Sequence, residues 1–223
     1  MINECPPTRV VPFGSNQYFQ DAVKKHQIVL HHTAGNSSGV ATINGWNADD
    51  RGRIATCVTI SGKGKSTIDG EICQAYSSRF WAYHLGIKPE VFAARNLKHL
   101  PLDKHSIAIE ICNWGGLDKV GDKYYNYVDR EVLAEDVCIL DEPYKGHKYY
   151  HAYTDAQIES VRQLLLYWGE LYGISLKYDY TRLFTVNNDA LTMVNGLYTH
   201  NSYRKDKSDV SPQPKMIEML KSL

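Results

Sequence analysis

The sequence has no Cys-x-x-Cys pair: Cys5, Cys57, Cys73, Cys112 and Cys138 are scattered and odd in number. That excludes a disulfide framework and a cysteine zinc knuckle as organising devices. No apolar run approaches the ~20 residues of a membrane-spanning helix, so none is expected. Neither sign of charge is in excess, with 25 Lys plus Arg against 25 Asp plus Glu. The chain therefore lacks the basic footprint that binding a phosphate backbone requires, and nucleic acid is not expected as a partner. Internal repeats and low-complexity tracts are also missing. The opening MINECPPTRVVPFGS has neither the basic stretch nor the apolar stretch of a secretory signal, which gives the expectation of synthesis in the cytoplasm, under reducing conditions.

What is present is ordinary globular material. The chain has 223 residues, 43% hydrophobic and 22% charged, which rules out wholesale disorder. The length suits one domain over residues 1–223, large enough to bury roughly 70% of its unfolded surface. Residues 1–26 read as an extended, proline-bearing lead-in. Gln27 to Thr33 (QIVLHHT) is a short apolar run rich in β-branched residues, bounded by AGNSSG, and reads as a buried strand ending in a loop. Val40 to Trp46 reads as a short helix. Ile54 to Ile60 reads as a second strand, and Glu71 to Tyr76, after the Asp69-Gly70 turn, as its hairpin partner. Ser106 to Cys112 (SIAIEIC) is the clearest strand, with Ile107, Ile109 and Ile111 on one face and Ala108, Glu110 and Cys112 on the other. The spacing predicts a helix over Thr154 to Tyr172, capped by Thr154, striped by Ile158, Val161, Leu165, Trp168 and Tyr172, and stopped by Gly173. A terminal helix is predicted over Lys215 to Leu220. Residues 115–150 and 175–198 show too little apolar periodicity for a core and read as surface insertions. Strands followed by helices in mixed order point to an α/β or α+β layer with helices packed on one central sheet, and the expected fold is α/β, a central mixed β-sheet flanked by helices.

Nine histidines is a rich supply. His31 and His32 stand where a rigid strand meets a loop, a place that favours function. They point to opposite faces, so at most one serves a given site; the alternative is a polar strand end. Near the C-terminus His200, Lys207 and Asp209 fall within THNSYRKDKSDVSP. An imidazole and a carboxylate suit zinc, and one more histidine would complete a three-ligand open site; the alternative is a solvated tail. Glu110 interrupts an isoleucine-rich strand, and an unpaired carboxylate there costs several kcal/mol, about 2–7 for a polar group and more for a charge. It must face a polar cavity, meet a cation or sit at an edge. His84, flanked by Trp81 and Tyr83, fits either a groove wall that stacks on sugar or peptide or an aromatic core patch.

Five segments in order, IVLHHTAG (28–35), WAYHLG (81–86), SIAIEICN (106–113), AYTDAQI (152–158) and the run from His200 to Asp209, resemble the zinc-dependent N-acetylmuramoyl-L-alanine amidase family. That family groups phage lysozyme-type amidases, cell-wall recycling amidases and peptidoglycan recognition proteins. The resemblance implies zinc held by His31, His200 and Asp209, with Lys207 stabilising the oxyanion and Glu110 acting as general base. It implies a substrate groove at His84, with Trp81 in the same segment. The implied substrate is peptidoglycan or a muropeptide, cleaved between N-acetylmuramic acid and L-alanine. Two departures stand out. The strand after His31, around Thr56, lacks the tyrosine of many lysozyme-type members, which moves the acid–base burden to Glu110. Val210-Ser211 follows Asp209 where the family often has Pro-Gly or Pro-Ser. The lack of a signal fits a phage-type lytic enzyme released through a separate holin-type pore as well as a recycling enzyme. The two long insertions, more than a compact recycling enzyme needs, favour the lytic setting as the expectation. The alternatives are a cytosolic recycling amidase and a non-catalytic receptor, the last disfavoured because Asp209, Lys207 and Glu110 are all retained.

Overall fold

In Ser106–Ile111 the isoleucines 107, 109 and 111 enter the main hydrophobic core beside Ile28, Leu30, Val58 and Ile60. Alternation thus gives the strand one apolar face and leaves the other for Ala108 and Glu110. The computed structural model describes residues 4–35 and 37–223. Its strands are β1 (Thr8–Val10), β2 (Gln27–His32), β3 (Val58–Ile60), β4 (Ile72–Gln74), β5 (Ser106–Ile111) and β6 (Gly116–Val120). They continue with β7 (Lys123–Tyr125), β8 (Glu131–Val132), β9 (Val137–Tyr144), β10 (His147–His151) and β11 (Gly196–Thr199). The helices are α1 (Gly39–Asn47), α2 (Pro89–Ala93), α3 (Leu102–His105), α4 (Asp155–Tyr172), α5 (Tyr180–Phe184), α6 (Asn188–Leu191) and α7 (Pro214–Lys221).

The central sheet has six strands in the order β1-β4-β3-β5-β2-β11. β5 is parallel to both neighbours, β2 and β3, and β2 is parallel to β11. β3 and β4 are antiparallel, as the expected hairpin requires. Every residue of β2 is buried, which parallel strands covered on both faces demand. On one face α4 and α7 deliver Val161, Leu164, Leu165, Trp168, Met216 and Leu220 to the core. On the other, Val29 and Tyr198 meet Leu85, Phe92 of α2, Leu102 of α3 and Leu191 of α6. The mixed sheet flanked by helices is the architecture expected. Among the described residues no helix is long and apolar enough to cross a membrane.

Four details correct the expectation. The lead-in contains β1, which pairs parallel with β4 as the sheet's edge. The second strand is shorter than Ile54 to Ile60, because Arg53 adopts φ +53° and Thr56 Oγ1 donates to Val58 O at 2.8 Å, leaving Ile54 only an isolated bridge to Tyr83. Residues 115–150 carry a core after all: β8-β7-β6-β10-β9 form a five-stranded sheet around Leu117, Tyr124 and Val132. Residues 175–198 are not a surface insertion. They place Leu183 and Phe184 of α5 in the main core and end in β11, an integral strand of the central sheet.

Candidate metal centre

The registers of β2, β3 and β5 bring the chemistry together. His31 and Thr59 both lie opposite Glu110, so the three side chains share one face near the carboxyl ends of parallel strands, the usual place for ligands in α/β sheets. Thr199 lies opposite Leu30, so His200, one residue on, comes level with His31. Asp209 returns on the following loop, which Asn201 closes by donating from Nδ2 to Asp209 O at 2.9 Å and Val210 O at 3.1 Å. His32 points the other way, its Nδ1 2.9 Å from the Tyr153 hydroxyl.

The ligand atoms of His31, His200 and Asp209 lie within 4.8 Å of one another, and all three residues are buried. His31 Nδ1 is 3.1 Å from His200 Nδ1 and 3.2 Å from Asp209 Oδ2, and His200 Nδ1 is 3.0 Å from that same oxygen. The outward nitrogens are engaged elsewhere. His200 Nε2–H donates to Leu85 O at 2.9 Å, and His31 Nε2 is 3.0 Å from His84 Nδ1. Burial, reinforced by neighbouring His200, lowers the His31 pKa to about 4, so this ring is neutral at neutral pH. Burial opposes ionisation of Asp209, yet the positive charge that His200, and after it His31, takes on in acid holds its pKa well below the usual carboxylate value. Inward-facing imidazole nitrogens and a carboxylate oxygen form a buried cluster of lone pairs that a cation would unite. Two imidazoles and one carboxylate make a donor set that fits zinc and leaves a position open.

Glu110 is half-buried and has no hydrogen-bond partner among the described residues. Burial, then the charge of Asp209, push its pKa well above the usual value, while Lys207 acts the opposite way. Lys207, half-buried in the loop between His200 and Asp209, also acts on His31 through its charge.

The two groove residues expected from the sequence lie outside this triad. His84 packs edge-on against His31, with both ring nitrogens engaged, Nδ1 with His31 and Nε2 with Ser106 Oγ at 2.8 Å. It therefore offers a substrate no free hydrogen-bonding atom. Trp81 stacks on Phe19 at 3.8 Å between ring centroids, donates its indole N–H to Asp21 and lines a separate cavity of about 380 Å³ with Tyr83 and Phe92. Sequence reasoning did not find Asn201, Ser106 or Asp103, whose polar atoms hold the site from behind. Nothing in their local sequence marks them, because their partners lie on other segments.

The N-acetylmuramoyl-L-alanine amidase family model matches residues 22–214, which include His31, Glu110, His200 and Asp209. No curated protein sequence matches the chain. Among solved structures, PlyL is similar at TM-score 0.51 and 14% identity, over 96% of this chain and 97% of that one. A selenomethionine derivative of AmpD is similar at TM-score 0.50 and 14% identity, over 98% and 97% respectively. The Staphylococcus aureus hydrolase AmiA, solved in complex with its ligand, is similar at TM-score 0.52 and 10% identity, over 97% and 82%. At such identities the structural likeness speaks for the fold, while the sequence model spans the core and the convergent donors alike. The chain belongs to the N-acetylmuramoyl-L-alanine amidase family of peptidoglycan hydrolases.

Proposed function

We propose that this amidase cleaves the bond between the lactyl group of N-acetylmuramic acid and L-alanine with a zinc ion held by His31, His200 and Asp209. The observation that carries the reading is the convergence of these three donors from β2, the turn that directly follows β11 and the loop beyond that turn. An amide is a weak electrophile and water a weak nucleophile at neutral pH. Zinc, when bound, supplies Lewis acidity and lowers the pKa of water towards ~7. Glu110 takes the proton of the attacking water and passes it to the leaving amine, a task for which a raised carboxylate pKa is suited. The Lys207 ammonium offsets negative charge developing on the amide oxygen, a contribution of about 2.7–4 kcal/mol when such donors are preorganised. EDTA treatment is expected to abolish release of the stem peptide, and zinc to restore it. Full turnover by verified metal-free protein overturns the metal reading.

The lytic setting is the one we favour. Beyond the carboxyl end of β5, the second sheet and its connecting loops leave Tyr127, Leu133 and Ile139 each exposed, apolar side chains that an extended wall polymer can cover and a small soluble muropeptide does not need. Clearing of intact walls, measured beside hydrolysis of a soluble muropeptide, tests it. An enzyme that turns over only the soluble substrate is a recycling amidase.

A further inference from the structure

We infer that His84 and Ser106 form a proton-ordered relay that fixes His31 as an Nδ1 ligand, and that Asp103 holds this relay in place. The inference deepens the zinc reading, because it assigns the groups that preset the site's metal-binding tautomers. The direction of the relay follows from its far end. A peptide carbonyl can only accept. Ser106 Oγ lies 2.8 Å from Leu102 O and therefore donates to it. Asp103 O, at 3.5 Å, is another carbonyl and imposes the same direction. With its proton committed, Ser106 Oγ accepts from His84 Nε2–H at 2.8 Å. A neutral His84 ring then has its lone pair on Nδ1, which accepts from His31 Nε2–H at 3.0 Å. The proton of His31 is thereby held on its outer nitrogen, and its Nδ1 lone pair faces His200 and Asp209.

His200 reaches the same state by a shorter route, since its Nε2–H donates directly to Leu85 O. The residues completing the two outer contacts, His84 and Leu85, are adjacent. One carboxylate oxygen, Asp103 Oδ1, accepts from both of their backbone N–H groups, at 2.7 and 2.8 Å. The short segment 102–106 therefore supplies the carbonyl and hydroxyl that order His31 through His84, and the carboxylate that holds the backbone of His84 and of Leu85, whose carbonyl orders His200. An imidazole in the other tautomer would point N–H at the ion and must rearrange to bind. Outer partners of this kind are worth about 10–100-fold in metal affinity. His84 and Ser106 are positioning residues, acting through His31.

The test reads tautomer and affinity separately. Long-range ¹H–¹⁵N spectra of the metal-free protein are expected to show His31 protonated on Nε2 alone. His84→Ala is expected to introduce the Nδ1–H form and to weaken zinc binding by about 10–100-fold in competition with a chromogenic chelator. Ser106→Ala shifts both readouts in the same direction by less. His84→Asn, whose side-chain oxygen can accept from His31 Nε2–H, recovers most of the affinity. Unchanged His31 tautomer and zinc affinity in His84→Ala overturn the relay. So does equal loss in His84→Ala and His84→Asn together with altered backbone amide spectra, which marks a purely structural role. Should His84→Ala not fold, Ser106→Ala decides by the same two readouts. Wild-type protein that binds no zinc ends the zinc reading, while the tautomer measurement still decides the relay.

Discussion

Glu110 occupies a position where a strand between two parallel neighbours would ordinarily bury an apolar side chain, and it has no hydrogen-bond partner there among the described residues. Such a carboxylate is a liability to the fold, which the general-base role proposed above would account for. Glu110→Gln is expected to bind peptidoglycan normally and to lower kcat at least about tenfold, towards the range of positioned acid–base groups. A rate near wild type removes Glu110 from the reaction. Lys25 is a second buried ionisable group, remote in role. It is fully buried and donates from Nζ to Phe80 O at 2.8 Å and Lys104 O at 3.0 Å. Burial lowers its pKa from 10.5 to about 8. The charged form is thus disfavoured in the folded state, and that penalty is present in full below pH 8. It is relieved as pH rises from about 8 towards 10.5, because the unfolded chain then holds more protons than the folded one. Relative to Lys25→Met, wild-type unfolding free energy should rise by about 2 kcal/mol between pH 7 and 9.5 in urea titrations. Parallel pH profiles for the two proteins would contradict a titrating Lys25.

Among the elements, α4 shows how local rules set the frame. Thr154 accepts from Gln157 N at 3.0 Å while Gln157 Oε1 accepts from Thr154 N at 3.2 Å, a reciprocal cap, and Gly173 at φ +62° ends the helix. Gln157 Nε2 also donates to Cys112 O at 2.8 Å, tying the helix start to the end of the strand that carries Glu110. Thr154→Ala should cost about 1 kcal/mol in urea unfolding, with Thr154→Ser close to wild type. A Thr154→Ala protein as stable as wild type would leave the cap without energetic weight. This helix and β5 were legible in the sequence because each repeats its buried face several times. β6, β7 and β8 were not, because each buries a single residue, Leu117, Tyr124 or Val132, and periodicity cannot show in one repeat. β11 was missed for another reason: Gly196–Thr199 is short, buried throughout and begins with glycine, so only its partner β2 reveals it as a strand. The histidines and carboxylates of the site could be named from motif order. The bonds among His84, Ser106 and Asp103 could not, since they depend on which segments the sheet brings side by side.

Across the whole molecule, the second sheet touches α5 and the loop between His200 and Asp209. The tip between β9 and β10 leans on that region: Tyr144 donates to Phe184 O at 3.3 Å and stands edge-on to the Phe184 ring, and Lys145 Nζ donates to Lys205 O at 2.8 Å. On the other side Trp114, just past the end of β5, faces Tyr127 at 6.3 Å between ring centroids, with the Arg130 guanidinium 5.9 Å over its ring. Tyr127 is 67% exposed, too open to be serving a core. On the lytic reading proposed above, an exposed ring of this kind would stack on polymer that continues beyond the cleaved bond. Covering one large apolar side chain is worth about 1.5–3 kcal/mol, tenfold or more in affinity. Tyr127→Ala should therefore slow clearing of intact walls by about tenfold while leaving hydrolysis of a soluble muropeptide and the melting temperature unchanged. Equal slowing on both substrates would place Tyr127 in the catalytic groove itself, and no slowing on either would leave the second sheet without a part in substrate choice.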